Sequence, residues 1–131
     1  MNKRQTRYTP FKGELKMPVD EFCQKYGLDL DTVMTRMNVR YWEDFDARVI
    51  PQNMGLIPAD KIRRALMMMQ MNWTEKDIHN RLDIPADIIQ NIKEMDPYMK
   101  SVFMEMDNYF FLNPKKIDLN KVFAVKEASQ A

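Results

Sequence analysis

Trp73-Thr74-Glu75-Lys76-Asp77-Ile78-His79-Asn80-Arg81-Leu82-Asp83-Ile84-Pro85-Ala86-Asp87-Ile88-Ile89-Gln90-Asn91-Ile92 reads as two short helices joined by a tight turn. Thr74 is followed three residues later by Asp77, an approximate capping box in which the threonine oxygen can accept from an otherwise unpaired N–H of the first turn. Trp73 before the cap and Ile78 after it form a hydrophobic staple. Ile78 and Leu82 face inward, Asp83 takes the turn and Ile84 plugs the core. Pro85 opens the next helix, because its ring fixes a helical φ where no N–H is needed. Ile88, Ile89 and Ile92 then point toward the same core. The pattern predicts helices over 75–82 and 86–95.

The same reasoning extends in both directions. Upstream, Ile62, Ala65, Leu66 and Met69 recur at helical spacing over 59–71. Met67, Met68 and Met71 carry apolarity beyond one face, so this helix is expected to be deeply buried, its methionines filling the core. The alternative is an adaptable Met-rich docking surface. Downstream, Asp96 caps a helix opened by Pro97, with Met99, Val102, Phe103, Met106 and Phe110 on one stripe and Tyr98, Tyr109 and Phe111 beside it. This stripe also reads first as core, although its size leaves room for self-association. Ile117, Leu119, Val122 and Phe123 predict a short docking helix. Pro51, Gly55 and Pro58 mark a linker. Before it, Tyr41–Phe45 begins a short helix with Trp42 and Phe45 facing in. Farther upstream a second helix pair is expected. Its first helix starts at Pro18, turns its apolar face inward through Phe22, Cys23 and Tyr26, and stops at Gly27, while Leu28 enters the core and Asp29 caps the helix that follows. That helix is expected to turn Leu30, Val33, Met34 and Met37 inward and to leave Asp31, Thr32, Thr35, Arg36 and Asn38 outside.

Composition agrees with an all-α fold. Of 131 residues, 45% are hydrophobic and 30% charged, with only three glycines, which favours globular helix over sheet or disorder. The expected architecture is a small helical bundle containing one or two tri-helical units. Its layout is a basic N-terminal arm over 1–17, a first unit over 18–50, a second unit with its aromatic helix over 59–112, and a basic C-terminal tail over 113–131. No apolar run approaches the roughly 20 residues a membrane helix needs, and no hydrophobic stretch follows the basic N-terminus, so no membrane and no secretory signal are expected. The single cysteine, Cys23, excludes an internal disulfide and fits a reducing, cytoplasmic setting.

Two segments carry a resemblance. Phe22-Cys23-Gln24-Lys25-Tyr26-Gly27-Leu28-Asp29-Leu30-Asp31-Thr32-Val33-Met34-Thr35-Arg36-Met37 resembles the helix-turn-helix superfamily, especially small regulators of phages and mobile elements. It has the small residue in the first helix, the turn glycine, the following Leu and the later Val. The stretch from Trp73 to Ile92 is similar to the three-helix form of that superfamily, departing from it at His79, where a small residue is usual, and at Asp83, where a glycine is usual. The resemblance implies that the second helix of each pair lies in the major groove of double-stranded DNA. The residues it would bring to base edges are Thr32, Thr35, Arg36 and Asn38, with Arg40 near phosphates, and Gln90, Asn91 and Lys93 in the second unit. The arm would add Lys3, Arg4 and Arg7.

Charge is less favourable to that reading. Twenty bases against nineteen acids give the chain a net charge of +1. Residues 18–41 hold Lys25, Arg36 and Arg40 against Asp20, Glu21, Asp29 and Asp31, and residues 59–95 hold six bases and six acids. Phosphate neutralisation supplies most non-specific affinity, so the basic ends and a homo-oligomer are expected to contribute. Catalytic chemistry is not expected: His79 and Cys23 lack companions, one His and one Cys cannot build a zinc site, and three scattered glycines make no phosphate loop. Asp29, Asp31, Asp44 and Asp46 are spaced as turn and cap residues. The expectation is a DNA-binding, transcription-regulating protein encoded by a phage or mobile element, with no cofactor and no metal. The alternative is a non-enzymatic module that binds a host protein such as RNA polymerase, or acts in virion assembly or DNA packaging.

Overall fold

The computed structural model describes residues 17–105, 117–119 and 121–123, and every α- or 3-10 element within them is helical, with no strand. The protein is an all-α, small helical bundle. Its chain divides into two compact units, Met1–Gln52 and Asn53–Ala131, the boundary falling within the Pro/Gly-marked linker.

The first unit contains α1 (Val19–Tyr26), α2 (Leu30–Asn38) and α3 (Asp44–Val49). Pro18 precedes α1 as its N-cap, and Gly27 ends it in the left-handed conformation at φ 67°, which glycine adopts without a Cβ clash. Leu28 then donates back to the Cys23 carbonyl at 2.8 Å, closing the helix end. Asp29 caps α2 as expected, its carboxylate accepting from the Thr32 N–H. Helix α2 packs on both α1 and α3. Phe22, Val33 and Met37 are fully buried, whereas Leu30, expected inside, is 39% exposed, because the buried face of α2 is centred on Val33, Arg36 and Met37 and helical periodicity puts Leu30 at its edge. All six residues of α3 are buried, more than its short length suggested.

In the second unit, a 3-10 turn (Gln52–Met54) at the unit boundary leads to α4 (Ala59–Gln70), α5 (Glu75–Leu82), α6 (Ala86–Lys93) and α7 (Pro97–Met104). Helices α4, α5 and α6 pack on one another, and α7 packs on α4. Ile62, Ile78, Ile84, Ile89, Ile92 and Phe103 are fully buried, each apolar side chain contributing about 1.5–3 kcal/mol. The Thr74 oxygen accepts from the Asp77 N–H at 3.1 Å, as the capping pattern predicted. Asp96 caps α7 through the Tyr98 and Met99 N–H groups. Asp83 takes the left-handed conformation at φ 56° and donates its N–H to His79 O, so an aspartate performs the turn that glycine performs after α1. Short polar side chains tolerate this conformation better than branched ones.

One expectation about burial is corrected here. Met67 is 38% and Met71 65% exposed, since the α5–α6 hairpin and α7 cover only the Ile62–Ala65–Leu66 side of α4. These two methionines are therefore not core filler. The predicted C-terminal docking segment is partly described: residues 119 and 121–123 are helical, Phe123 is buried, and the Asp118 N–H donates to the Tyr98 hydroxyl at 2.6 Å. Met106, Tyr109, Phe110 and Phe111 lie outside the described residues.

Candidate nucleic-acid interface

Arg36 decides how the first hairpin can be used. The residue is fully buried. Its guanidinium donates to the carbonyls of Ala47 at 3.0 Å, Ile50 at 2.8 Å and Pro51 at 2.9 Å, and it stacks over the Trp42 ring at 4.8 Å. The end of α3 is buried, and the last carbonyls of a helix have no partner within it. Arg36 supplies the donors, matching the negative end of the helix dipole with a cation. Burial pushes its pKa down to about 10, with the charge of Asp46 acting in the opposite direction, so it remains a cation at neutral pH. The sequence expectation that Arg36 faces outward to read a base is thus corrected: a side chain withdrawn to the core of the folded chain is not presented to a groove.

A signal for this was present in the sequence. Aligned on their left-handed turns, the hairpins place Phe22 with Ile78, Val33 with Ile89 and Arg36 with Ile92, all buried. Arg36 therefore holds the register of a core isoleucine.

The other first-unit candidates lie as follows. Thr32 is half-buried, and both its N–H and its hydroxyl donate to the Asp29 carboxylate. Thr35 is half-buried and its carbonyl accepts from the Val39 and Arg40 N–H groups. Asn38 and Arg40 are exposed. A second arginine is also withdrawn: Arg48 forms a buried pair with Asp44 at 2.6 Å and donates to Met17 O. Its guanidinium lies over the Phe22 ring at 5.0 Å. Burial raises the pKa of Asp44, and its hydrogen bond from Arg48 opposes the rise. Asp44 and Asp46, read from sequence as turn and cap residues, are both buried. The exposed charge of this unit's described residues is consequently acidic, with Asp20, Glu21, Asp29 and Asp31 against Lys25 and Arg40. Such a surface repels a phosphate backbone.

In the second unit the candidates gather on the outer side of α6 and engage neighbours. Gln90 donates to Glu94 at 2.7 Å, Asn91 donates to the Asn53 carbonyl at 2.8 Å, and exposed Lys93 pairs with Glu75 at 3.1 Å. These contacts are near solvent and cheap to exchange, a net of about 0.5–1.5 kcal/mol each. His79, the departure in the first helix of this pair, lies on the exposed side and its Nδ1 donates to the Ile84 carbonyl, bracing the turn. Exposed Arg64, Lys76 and Arg81 were missed by the sequence reading. They lie outside the second helix of the pair, where base-reading residues were sought, yet phosphate contacts come from flanking helices too.

Lys3, Arg4 and Arg7 lie outside the described residues. Among the described residues no three His, Cys, Asp or Glu side chains are grouped to hold a metal ion, and no helix is long and apolar enough to cross a membrane. No family model, curated protein or solved structure matches the chain. Function is therefore read from the chain's own residues. Those residues offer an outer side of α6 on which half-buried Gln90 and Asn91 stand with exposed Lys93 and the exposed acids Asp87 and Glu94, and an α2 face that is acidic and partly apolar.

Proposed function

We propose that the protein is a non-enzymatic DNA-binding regulator of the helix-turn-helix type, encoded by a phage or mobile element, that works in the cytoplasm as a homo-oligomer and reads a duplex site with α6. The observation that carries this reading is the mutual packing of α4, α5 and α6 around a three-residue turn whose first residue, Asp83, is left-handed. In the tri-helical DNA-binding form, that arrangement turns the outer side of the second hairpin helix toward the major groove. Gln90 and Asn91 are then the base readers, since either amide can pair bidentately with adenine. Arg64, Lys76, Arg81 and the arm residues Lys3, Arg4 and Arg7 supply phosphate contacts. Selection of fragments from a random DNA pool at two salt concentrations tests this. Enrichment of one site, with Gln90→Ala or Asn91→Ala losing about 1–3 kcal/mol at a single base pair, supports it. No enrichment at low salt defeats it.

A second reading, a protein-interaction module that binds host machinery, is favoured by one observation in the first unit. Withdrawal of Arg36 and Arg48 to the core leaves an acidic surface around exposed apolar side chains.

A further inference from the structure

We propose that Asp87 makes the DNA site cytosine-specific at one base pair, its carboxylate accepting from the N4 amino group in the major groove. The inference rests on the DNA reading above and names part of the sequence that α6 reads.

The place of Asp87 follows from the helix itself. Ile89 and Ile92 are fully buried and Ile88 is half-buried, which fixes the side of α6 that faces the core. At about 100° per residue, the opposite side carries Asp87, Gln90, Asn91 and Glu94. Asp87 is exposed and stands in the first turn of α6, and Gln90 and Asn91 follow one turn later on the same side. Any docking that brings those two amides to base edges therefore brings the Asp87 carboxylate into the groove with them. A recognition helix contacts bases through its N-terminal residues, which distinguishes Asp87 from Glu94. Glu94 follows the last turn as the C-cap, and its carboxylate accepts from the Gln90 amide at 2.7 Å. Asp87 Oδ1 accepts from the Ile88 N–H at 3.0 Å, which orients the carboxylate, and Oδ2 takes no hydrogen bond among the described residues.

Chemistry then selects the base. A carboxylate only accepts, and in the groove it lies between two phosphate backbones that repel it. Guanine offers it the acceptors N7 and O6, and thymine offers O4 and a methyl group. Adenine has an N6 amino group with the acceptor N7 beside it, an edge that suits the amides of Gln90 and Asn91 and not an acid. Cytosine presents its N4 amino group alone. One turn of α6 rises about 5 Å, against about 3.4 Å per base pair. The cytosine is therefore expected within two base pairs of the adenine.

The test is selection by the full-length protein from a random duplex pool, then affinities for the enriched site with every base pair replaced in turn. Asp87→Ala, Asp87→Asn and Glu94→Gln are compared with wild type, each checked for an unchanged circular-dichroism spectrum. Wild type is expected to prefer cytosine at one position by at least about tenfold. Asp87→Ala should abolish that preference, leave the other positions as they were, and bind unrelated DNA more tightly because an acid has gone. Asp87→Asn should turn the preferred base from cytosine to adenine. Glu94→Gln should tighten all sites together and keep the cytosine. An Asp87→Ala variant with full preference for cytosine, or an enriched site with no cytosine near its adenine, would overturn the assignment and leave α6 as the reader. No enrichment by wild type at low salt would overturn the DNA reading, and the role of Asp87 with it.

Discussion

Arg36 shows how one buried cation organises its surroundings. Removing it strands the carbonyls of Ala47, Ile50 and Pro51 and opens the space under Trp42. Arg36→Ala is therefore expected to lower stability by about 3–5 kcal/mol, because buried acceptors lose their donors along with the packing. Chemical denaturation measures this, and unchanged stability would return Arg36 to the surface. The Asp44–Arg48 pair gives a different expectation. Burial raises the Asp44 pKa above its ordinary 3.8, so the folded chain holds that proton more tightly than the unfolded chain. The contribution of Asp44 to stability is fullest at low pH and declines as pH rises through the folded-state value. Followed against Asp44→Asn, which does not titrate, the wild-type protein should lose relative stability over that rise. A relative gain would mean the ion pair outweighs the burial.

At the scale of elements, the same hairpin is built twice with different turn residues. Gly27 enters the left-handed region without strain, and Asp83 does so at some cost. Asp83→Gly is expected to leave stability unchanged or raise it by up to about 1 kcal/mol, whereas Asp83→Val, branched at Cβ, should lower it by about 1–2 kcal/mol. Thermal midpoints separate these, and a tolerated valine would remove the turn's backbone requirement. Thr74→Ala should cost about 1 kcal/mol by freeing the Asp77 N–H. These features were legible in the sequence because caps and turns are decided by neighbours three or four residues apart: Asp29, Thr74, Asp96 and Gly27 all act as their types predict. The burial of Arg36 was legible only by setting its hairpin beside the second one, where it takes the register of Ile92; its acceptors lie 11 to 15 residues away along the chain, and helical periodicity within one helix assigns a charged residue outward by default. The exposure of Leu30, Met67 and Met71 was hidden for a related reason. An apolar side chain marks the core only where another helix arrives to cover it, and which helix arrives is a tertiary fact.

For the whole molecule, charge is divided between the described helical body and the ends. Residues 17–105 contain 11 bases against 15 acids, while residues 1–16 contain five bases and the single acid Glu14. Residues 17–105 alone thus carry a net acidic charge that opposes a phosphate backbone, and the proposed DNA binding draws the larger share of its non-specific affinity from the basic ends, with Arg64, Lys76 and Arg81 adding the rest. Each phosphate neutralised on duplex DNA contributes close to one unit to the slope of log affinity against log salt. Deleting residues 1–16 is accordingly expected to flatten that slope by roughly three to five units while the preferred site stays the same, because α6 and not the arm holds Gln90 and Asn91. A slope unchanged by the deletion would move the phosphate contacts to Arg64, Lys76 and Arg81 on the body. A changed site preference with α6 intact would make the arm itself a reader of the minor groove, as basic N-terminal arms can be. The two results are separable in one salt titration across a set of sites, since phosphate contacts scale all sites together and base contacts do not.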